Sequence, residues 1–259
     1  MIELTLATGL LVATAGLACG FLNTVASSGS AVSLPMLIFL GLDPVTANAT
    51  NRFPVLVAAG TASVSFHRRG HMPWRTALRI SLPSVAGAAI GVGLAEALPQ
   101  RDLGLVITAA VLVALGLLFT KVKDAVARAP EGDIRLGPAQ YLAFLAIGLW
   151  LGFIVLDGAT YLLLALVLAV RLPLAEANAV KSAVIVPTSL VALAWFVYNG
   201  HAAWGIGAVL AAGSVAGGVL GARLACSDAA RRWIFRILVL ALTAETVHLG
   251  LHYLHGTTA

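Results

Sequence analysis

One six-residue stretch occurs twice in this chain, and the duplication limits what the chain can fold into. Residues 47–52 read ANATNR, and residues 177–182, 130 positions later, read ANAVKS. The same offset pairs further identical residues downstream: Gly70 with Gly200, His71 with His201, Trp74 with Trp204, Ser84 with Ser214, Gly87 with Gly217 and Gly91 with Gly221. So many matches without a gap indicate an internal duplication, and therefore a fold made of two similar halves.

Upstream of the repeated stretch, the halves match only if the offset changes. Gly16 and Phe21 match Gly148 and Phe153 at an offset of 132. This predicts a two-residue insertion or deletion between Phe21 and Leu42. Matching polar patches in otherwise apolar repeats also indicate one site built from both halves, as in repeat-built transporters.

The composition places this duplicated chain in a lipid bilayer. Of its residues, 60% are hydrophobic and 10% are charged, and the mean hydropathy is +0.97. A bilayer core of roughly 30 Å needs helices of about 20 apolar residues. Long apolar runs with few or no charges cover residues 77–98, 103–120, 183–198, 204–225 and 233–251. In a soluble protein a net charge of +5 would indicate nucleic acid, but here Lys and Arg cluster in short loops, so we expect a lipid bilayer and no nucleic acid as partner.

The two cysteines give no sign of a metal or a disulfide. Cys19 and Cys226 lie in or beside apolar segments, without a second Cys or His at ligand spacing. We interpret them as small hydrophobic residues and expect no metal and no cofactor. Residues 16–19 are weakly similar to a lipoprotein cleavage site, but no basic segment precedes them and the apolar run continues. An embedded segment is therefore favoured over a cleaved signal peptide.

Each half is predicted to begin with a broken or hairpin helix. In the first half, residues 3–22 are apolar, the polar stretch 23–30 interrupts them, and 31–41 are apolar again. In the second half the corresponding pieces are 138–156 and 159–170, separated by Asp157 and Gly158. Irregular backbone at membrane depth is tolerated where protein or a water-filled cavity satisfies its polar groups. The breaks are therefore expected to face a cavity.

Loop charges predict the orientation of the two halves. Four arginines surround the loop at residues 67–74, Arg68, Arg69, Arg75 and Arg79, whereas the matching loop at 198–203 has no Lys or Arg. The next pair reverses this: 99–102 is nearly neutral, and its counterpart 227–236 carries Arg231, Arg232 and Arg236. Because positive loops are cytoplasmic, equivalent loops fall on opposite sides, which is typical of inverted repeats.

The predicted fold is therefore an all-α, polytopic membrane protein of two inverted-topology repeats. Residues 1–120 form repeat 1, residues 121–136 form a cytoplasmic linker, and residues 137–259 form repeat 2.

With these features the chain resembles the TauE/SafE sulfite-exporter family of bacterial membrane transporters. The resemblance rests on the Gly-rich break and Pro-bearing short helix (Ser28, Gly29, Ser30, Leu34, Pro35), on Gly41 and on the patch 47–50, all in an arrangement that is repeated. It covers nearly the whole chain. It implies export of sulfite, or movement of small sulfonates and related organic anions, across the bacterial cell (inner) membrane. The second half departs from the pattern with Asp-Gly-Ala-Thr at 157–160 and Val180-Lys181 in place of Thr50-Asn51.

Lys181 and Arg52 are the cations expected inside the protein. A charge at the centre of a membrane helix costs roughly 2.5–3.5 kcal/mol on insertion scales and usually faces the bundle interior. Two structural alternatives are snorkelling to the interface and an ion pair with Asp157 or Asp43. Asp157 itself could carry a coupling proton or neutralise Lys181, and the ion pair is favoured because a neighbouring cation lowers a carboxyl pKa.

Amide and hydroxyl groups complete the candidate site. Asn48 and Asn178 carry both donors and acceptors, so they suit substrate oxygens, although they could equally cap helices. The residues before the short helix of half 1 offer backbone N–H groups and a positive dipole end to an anion, or form a polar turn that caps itself. The full set of candidate substrate-binding residues is Ser28, Gly29, Ser30, Asn48, Thr50, Asn51, Arg52, Asp157, Gly158, Thr160, Asn178 and Lys181.

The remaining polar and small residues are interpreted as scaffold. His71, His201, Trp74 and Trp204 lie at helix ends, where aromatic side chains mark the membrane interface. Glu245 and His248 form a local pair in the last helix. Gly87, Gly91, Gly217 and Gly221 form small-xxx-small pairs that allow close helix packing.

The sequence favours a secondary transporter that moves a small anion by alternating access, with sulfite or a small organosulfonate as substrate. Another organic anion, such as a carboxylate, is the alternative. A membrane-embedded enzyme or assembly factor is the alternative from a different functional class. The sequence carries neither a nucleophile with a base nor a metal cluster, so we expect no enzyme. A homodimer is compatible with the sequence.

Overall fold

Helices form the described part of the chain. The computed structural model describes residues 6–27, 29–97, 136–154, 156 and 158–226, and no strand occurs among them. Half 1 contains α1 (Leu6–Ala26), α2 (Ser30–Phe39), α3 (Pro44–Thr50), α4 (Arg52–Arg68) and α5 (Trp74–Ala97). Half 2 contains α6 (Pro138–Phe153), α7 (Gly158–Leu164) continuing into a π-helical turn (Ala165–Ala169), α8 (Leu174–Tyr198) and α9 (Trp204–Ala225).

Four of these helices, α1, α5, α8 and α9, are long and apolar enough to cross a membrane. This confirms an all-α protein with several membrane-spanning helices. The predicted apolar runs 103–120 and 233–251, the loops 99–102 and 227–236, the linker up to residue 135 and the Glu245–His248 pair lie outside the described residues.

The duplicated sequence folds into the same local structure twice. Helices α3 and α8 begin at residues 44 and 174, and α5 and α9 begin at 74 and 204, each pair 130 residues apart. The turns before α5 and α9 have Gly70 and Gly200 at φ of 76° and 81°, a region that L side chains rarely adopt. In both turns a His N–H donates to the carbonyl five residues earlier, which is the 6→1 bond of a Schellman motif.

The first helices of the two halves correspond at an offset of 128, so the predicted offset of 132 is wrong. An ideal Cβ on Gly20 would lie 2.4 Å from Ser214 O, and one on Gly148 would lie 2.1 Å from Ser84 O. Since Ser84 and Ser214 are a matched pair, Gly20 corresponds to Gly148. Small and apolar residues recur at four-residue spacing on both helices, so a shift by one turn gave a similar match in the sequence.

The two-residue difference between the halves lies in the second short helix. Helices α2 and α7 begin 128 residues apart, at Ser30 and Gly158, whereas the positive-φ residues that follow them, Gly41 and Arg171, are 130 apart. Half 2 therefore holds two extra residues in this stretch. They coincide with the π-helical turn, whose i→i+5 bonding holds more residues per turn than an α-helix.

The two halves pack crosswise. Helix α1 lies along α9, and α6 lies along α5, so the first helix of each half packs on the last described helix of the other. Helices α4 and α8 lie between these pairs and contact each other. The predicted small-residue contacts are present, because an ideal Cβ on Gly91 would lie 1.9 Å from Leu149 O and one on Gly217 would lie 2.2 Å from Leu17 O.

Several predicted boundaries differ from the observed ones. Helix α1 continues to Ala26, past the predicted end at residue 22, and α2 begins at Ser30, with Ser27 at φ of 63°. Helix α6 ends at Phe153, because Ile154 is extended although it is apolar. Helix α8 begins at Leu174, so the polar patch opens the helix, as its position after the Pro-bearing turn predicts, and the apolar run at 183–198 is only the later part of the helix.

Candidate functional site

The polar patch of each half lies against the broken helix of the other half. Lys181, on α8, reaches the C-terminal end of α1, and Arg52, at the start of α4, reaches the C-terminal end of α6. Both side chains have 0% relative exposure. Neither cation therefore snorkels to an interface, which was one of the alternatives.

Lys181 caps the carbonyl end of α1. Its Nζ donates to Asn23 O at 3.0 Å and to Thr24 O at 3.1 Å. It also lies 2.9 Å from both Ser27 Oγ and Asn178 Oδ1. The last carbonyls of a helix have no partner within the helix, and their negative dipole end favours a cation. These four neutral oxygens can use all three ammonium hydrogens.

Arg52 makes the equivalent contacts at the end of α6. Its Nη1 donates to Leu151 O at 3.0 Å and its Nη2 donates to Gly152 O at 2.7 Å. At the offset of 128, these two residues correspond to Asn23 and Thr24. The guanidinium carbon also lies 5.2 Å from the ring centroid of Phe196, within cation–π distance. We call the contacts of Lys181 with residues 23 and 24, and of Arg52 with residues 151 and 152, the two cation clasps.

The two asparagines lie beside the clasps. Asn48 Nδ2 donates to Phe153 O at 3.2 Å, so it satisfies another carbonyl at the end of α6. Asn178 Nδ2 donates to Leu174 O at 3.1 Å, within its own helix, and its Oδ1 accepts from Lys181. Each asparagine is thus next to the break of the opposite half.

Asn51 and Arg52 carry buried donors without an acceptor among the described residues. These are Asn51 Nδ2 and Arg52 Nε. Asn51 Oδ1 is occupied, because it accepts from Ser33 Oγ on α2. A buried N–H that is left unpaired costs roughly 1–3 kcal/mol, so such groups in a native structure call for an explanation. Two N–H donors next to a clasp are suited to an anionic oxygen.

The other candidates are distributed around the two breaks. Thr160 Oγ1 donates to Ser27 O at 3.4 Å, which brings α7 of half 2 against half 1. Ser30 is buried at the start of α2, after an N-cap glycine, Gly29, that has no side chain to cap the helix. Gly29 and Gly158 are packing positions, since ideal Cβ atoms there would lie 2.1 Å from Cys19 O and 2.5 Å from the Leu151 side chain.

One predicted residue lies away from the clasps, and two others are not among the described residues. Thr50 Oγ1 accepts from Ala203 N at 3.1 Å, so it contacts the turn before α9 and not a clasp. Ser28 and Asp157 lie outside the described residues, so the Lys181–Asp157 pair stays a prediction.

Asp43 caps its own helix and does not pair with Arg52. Its Oδ1 accepts from Val45 N at 3.1 Å and from Thr46 N at 3.0 Å. Burial raises the pKa of the Asp43 carboxyl, but the hydrogen bonds from Thr46 and Val45 together outweigh burial, so the pKa lies below its usual value. The alternative Arg52–Asp43 ion pair is wrong.

Several partners in the site were not predicted. Asn23 and Thr24 were assigned only to the break, Ser27 was considered only as part of the turn before the short helix of half 1, and Ser33 was not singled out. The contributing atoms at residues 23, 24, 151 and 152 are backbone carbonyls, which any residue type provides. Only the polar character of the stretch 23–30 could have pointed to them.

Two basic side chains, Lys181 and Arg52, are fully buried in the structure. Within the described ranges the only ion pair joins Glu96 and His201, at 3.6 Å, far along the chain from both clasps. The described partners of Lys181 and Arg52 are neutral oxygens and one aromatic ring. The fold and these contacts define a class of protein, a helical membrane protein with a buried basic side chain at each of two broken helices.

The chain belongs to the family described as "Sulfite exporter TauE/SafE", which matches residues 12–246. Its relatives include a "Probable membrane transporter protein ORF9" of Sinorhizobium sp, 26% identical over 236 residues, covering 89% of this chain and 87% of the relative. A "Probable membrane transporter protein" of Haemophilus influenzae is 26% identical over 244 residues, covering 90% and 92%. The "Probable membrane transporter protein YfcA" of Escherichia coli is 25% identical over 238 residues, covering 92% and 87%.

No solved structure matches the chain significantly. Family, relatives and apolar helices together identify it as a multi-pass protein of a bacterial membrane.

Proposed function

We propose that this protein is a secondary transporter that moves a small oxyanion, sulfite or a small organosulfonate, across the cytoplasmic membrane by alternating access. The observation that carries the proposal is the pair of fully buried cations at the two breaks, whose described partners are all uncharged. Buried charge is costly unless it is paired, and an anionic substrate would supply the missing charge.

The free donors support an oxyanion in particular. Asn51 Nδ2 and Arg52 Nε are N–H groups, and an anion with several oxygens can accept from more than one of them. The family description names a sulfite exporter, which supports sulfite as the first substrate to test. A carboxylate would use the same donors and is the alternative.

The arrangement of the turns supports inverted repeats. Helix α5 begins beside the arginine-bearing turn at residues 69–73, and near its other end Glu96 accepts from Trp195 Nε1 and Asn199 Nδ2, both at 2.6 Å. The 24 residues of α5 span about 36 Å at 1.5 Å per residue. Asn199 belongs to the turn equivalent to the arginine-bearing one. The two equivalent turns thus lie at opposite ends of α5, and the positive end is expected in the cytoplasm.

The clasps suggest how binding is coupled to movement. An anion that takes over the Arg52 guanidinium competes with the carbonyls of Leu151 and Gly152. Loss of that clasp loosens the end of α6, where the bond from Asn48 to Phe153 O is then the remaining described contact of the patch. The Lys181 clasp is the equivalent contact at the end of α1. The protein can therefore alternate between a state in which the end of α1 is held and the end of α6 is released, and the opposite state. A ligand shifts such an equilibrium by its difference in affinity for the two states.

Replacing each cation by the residue of the other half tests the proposal. Arg52→Ser introduces the residue found at 182, and Lys181→Asn introduces the residue found at 51. We expect sulfite flux into proteoliposomes to fall at least about tenfold for Arg52→Ser, corresponding to ~1.4 kcal/mol. Ser63→Ala on the same helix is the matched control, because among the described residues its hydroxyl donates only to Ala59 O, within α4.

Competition by methanesulfonate and by acetate then distinguishes sulfonates from carboxylates. Wild-type flux in a correctly folded Arg52→Ser protein would remove Arg52 from the transport site. Formation of a chemically altered product in place of flux would support a membrane-embedded enzyme.

A further inference from the structure

A groove lies between α4 and α9 at the arginine-bearing end of the helices. It encloses about 330 Å³ and is open to the outside of the bundle. Arg68, Arg69 and Arg223 line it together with Val64, Ser65 and Val219. Among the described residues none of these arginines has a carboxylate partner, since the ion pair found there is Glu96 with His201.

The lining changes from apolar to basic along the groove. Val64 and Arg68 are four residues apart on α4, and Val219 and Arg223 are four residues apart on α9, so each pair lies on one face of its helix. Val64 is half exposed. Since the arginines are at the helix ends, the valines lie one turn further from those ends, and Val219 lies within a candidate membrane span. This order matches a phospholipid, with a charged headgroup at the membrane surface and an acyl chain below it.

The equivalent place in the other half, between α8 and α5, is lined by different residues. The residue corresponding to Ser65 is Trp195, and the residue corresponding to Arg69 is Asn199. Both donate to Glu96, so a large ring occupies this place and a carboxylate accepts from both side chains. On the arginine side, the residue corresponding to Glu96 is Cys226, which carries no carboxylate. The repeat scaffold therefore does not require the small Ser65 or the three arginines.

We propose that this groove binds an anionic phospholipid, with its phosphate among Arg68, Arg69 and Arg223 and an acyl chain along Val64 and Val219. Arginine pairs strongly with phosphate oxygens, often through two parallel hydrogen bonds. Basic pockets between membrane helices on the cytoplasmic side bind anionic headgroups. The site is separate from the clasps and does not depend on which anion is transported.

Two variants separate the shape of the groove from its charge. Ser65→Trp fills it with the residue that the equivalent helix carries and leaves all three arginines in place. Arg68→Gln with Arg223→Gln keeps the space and removes charge. The matched control is Arg75→Gln with Arg79→Gln, which removes two exposed arginines near the same end that do not line the groove.

The measurement is thermal unfolding of the purified full chain in detergent, with added phosphatidylglycerol, phosphatidylcholine of the same acyl chains, or inorganic phosphate. We expect phosphatidylglycerol to raise the melting temperature above the effect of phosphatidylcholine, with inorganic phosphate giving little. The preference should weaken at high salt because the contacts are electrostatic. Both groove variants should lose it, and the Arg75/Arg79 control should keep it.

Other results would overturn the lipid site. An equal loss of preference in the Arg75/Arg79 control would mean that surface charge alone attracts the lipid. An equal effect of inorganic phosphate would indicate a free-anion site. If Ser65→Trp does not fold, native mass spectrometry of wild type and the Arg68/Arg223 variant decides, because retention of phosphatidylglycerol by both contradicts the proposal.

Discussion

At the scale of single residues, the contacts of Lys181 predict that its removal destabilises the protein. Lys181→Asn leaves the Asn23 and Thr24 carbonyls and Ser27 Oγ without their donor. We expect a loss of stability of about 1–3 kcal/mol, measured as a lower melting temperature, since buried acceptors become unsatisfied.

The predicted partner Asp157 can be tested in the same series. If neutral oxygens dominate, adding Asp157→Asn should not restore the stability of Lys181→Asn. Full recovery in the double variant would contradict this expectation and would show that an Asp157–Lys181 pair dominates, because removing both charges relieves the unpaired one.

Asp43 gives a pH-dependent prediction outside the four candidate membrane spans. Its pKa is lowered in the folded protein, so the capping contribution is present above the unfolded pKa of about 3.9 and is lost as pH falls through the folded value. Asp43→Asn should cap α3 nearly as well while removing this pH dependence, and Asp43→Ala should cost about 1 kcal/mol at neutral pH. Melting curves of the three proteins between about pH 3 and pH 7 test this, and parallel curves for wild type and Asp43→Asn would refute it.

The sequence could predict which side chains are buried at the site, but not what they contact. Lys181, Arg52 and Asn48 stand out because charged and amide groups are rare in such an apolar chain. Their partners are mostly carbonyls, and carbonyls are present at every position. Ser33 looked like one more small residue of an apolar helix, although its hydroxyl donates to Asn51.

At the scale of helices, two glycines of α5 should respond in opposite ways to the same substitution. A Cβ on Gly91 would lie 1.9 Å from the backbone oxygen of Leu149, whereas one on Gly93 would have nothing within 4 Å. Gly91→Ala must push α6 away, and we expect a cost of roughly 1–3 kcal/mol. Gly93→Ala should stabilise by up to about 1 kcal/mol, since alanine is the better helix former.

Melting temperatures of the two variants in one detergent measure this difference. A similar effect of both substitutions would mean that α5 and α6 are not in close contact at Gly91. Gly217→Ala offers a second check at the equivalent contact of α9 with α1, where the nearest backbone oxygen is that of Leu17 at 2.2 Å.

Most described helices followed from hydropathy, but α3 and α4 lie outside the predicted apolar runs, and the register between the halves was not predictable either. Four-residue spacing of small residues makes matches one turn apart nearly equal in sequence, and only packing against Ser84 and Ser214 selects the offset of 128. The π-helical turn at Ala165–Ala169 was also not predictable, because its residues are as apolar as those of an α-helix. Glycines in the turns were more informative than the apolar helices, since Gly70 and Gly200 adopt the positive φ that favours glycine.

At the scale of the whole molecule, each half completes the other. The carbonyl ends of α1 and α6 are both satisfied by a cation from the opposite half. Neither half has these partners alone, and unsatisfied backbone groups are expensive at membrane depth. The duplication therefore produces one interlocked unit. The proposed transport site lies at the two cation clasps, where each half contacts the other.

The orientation of this unit gives the last prediction, which rests on the equivalent turns before α5 and α9. Glu96 near the end of α5 contacts the second turn, while α5 begins just after the first, so about 36 Å of helix separates them. With Cys19 and Cys226 replaced, a single cysteine at His71 should be protected from an impermeant maleimide added to intact cells, and one at His201 should react. Permeabilised cells should show labelling at both positions, which confirms that each is accessible from its own side. Arginines surround the first turn, so it is expected to be cytoplasmic. Labelling of both cysteines from outside in intact cells would place the turns on one side and rule out inverted repeats.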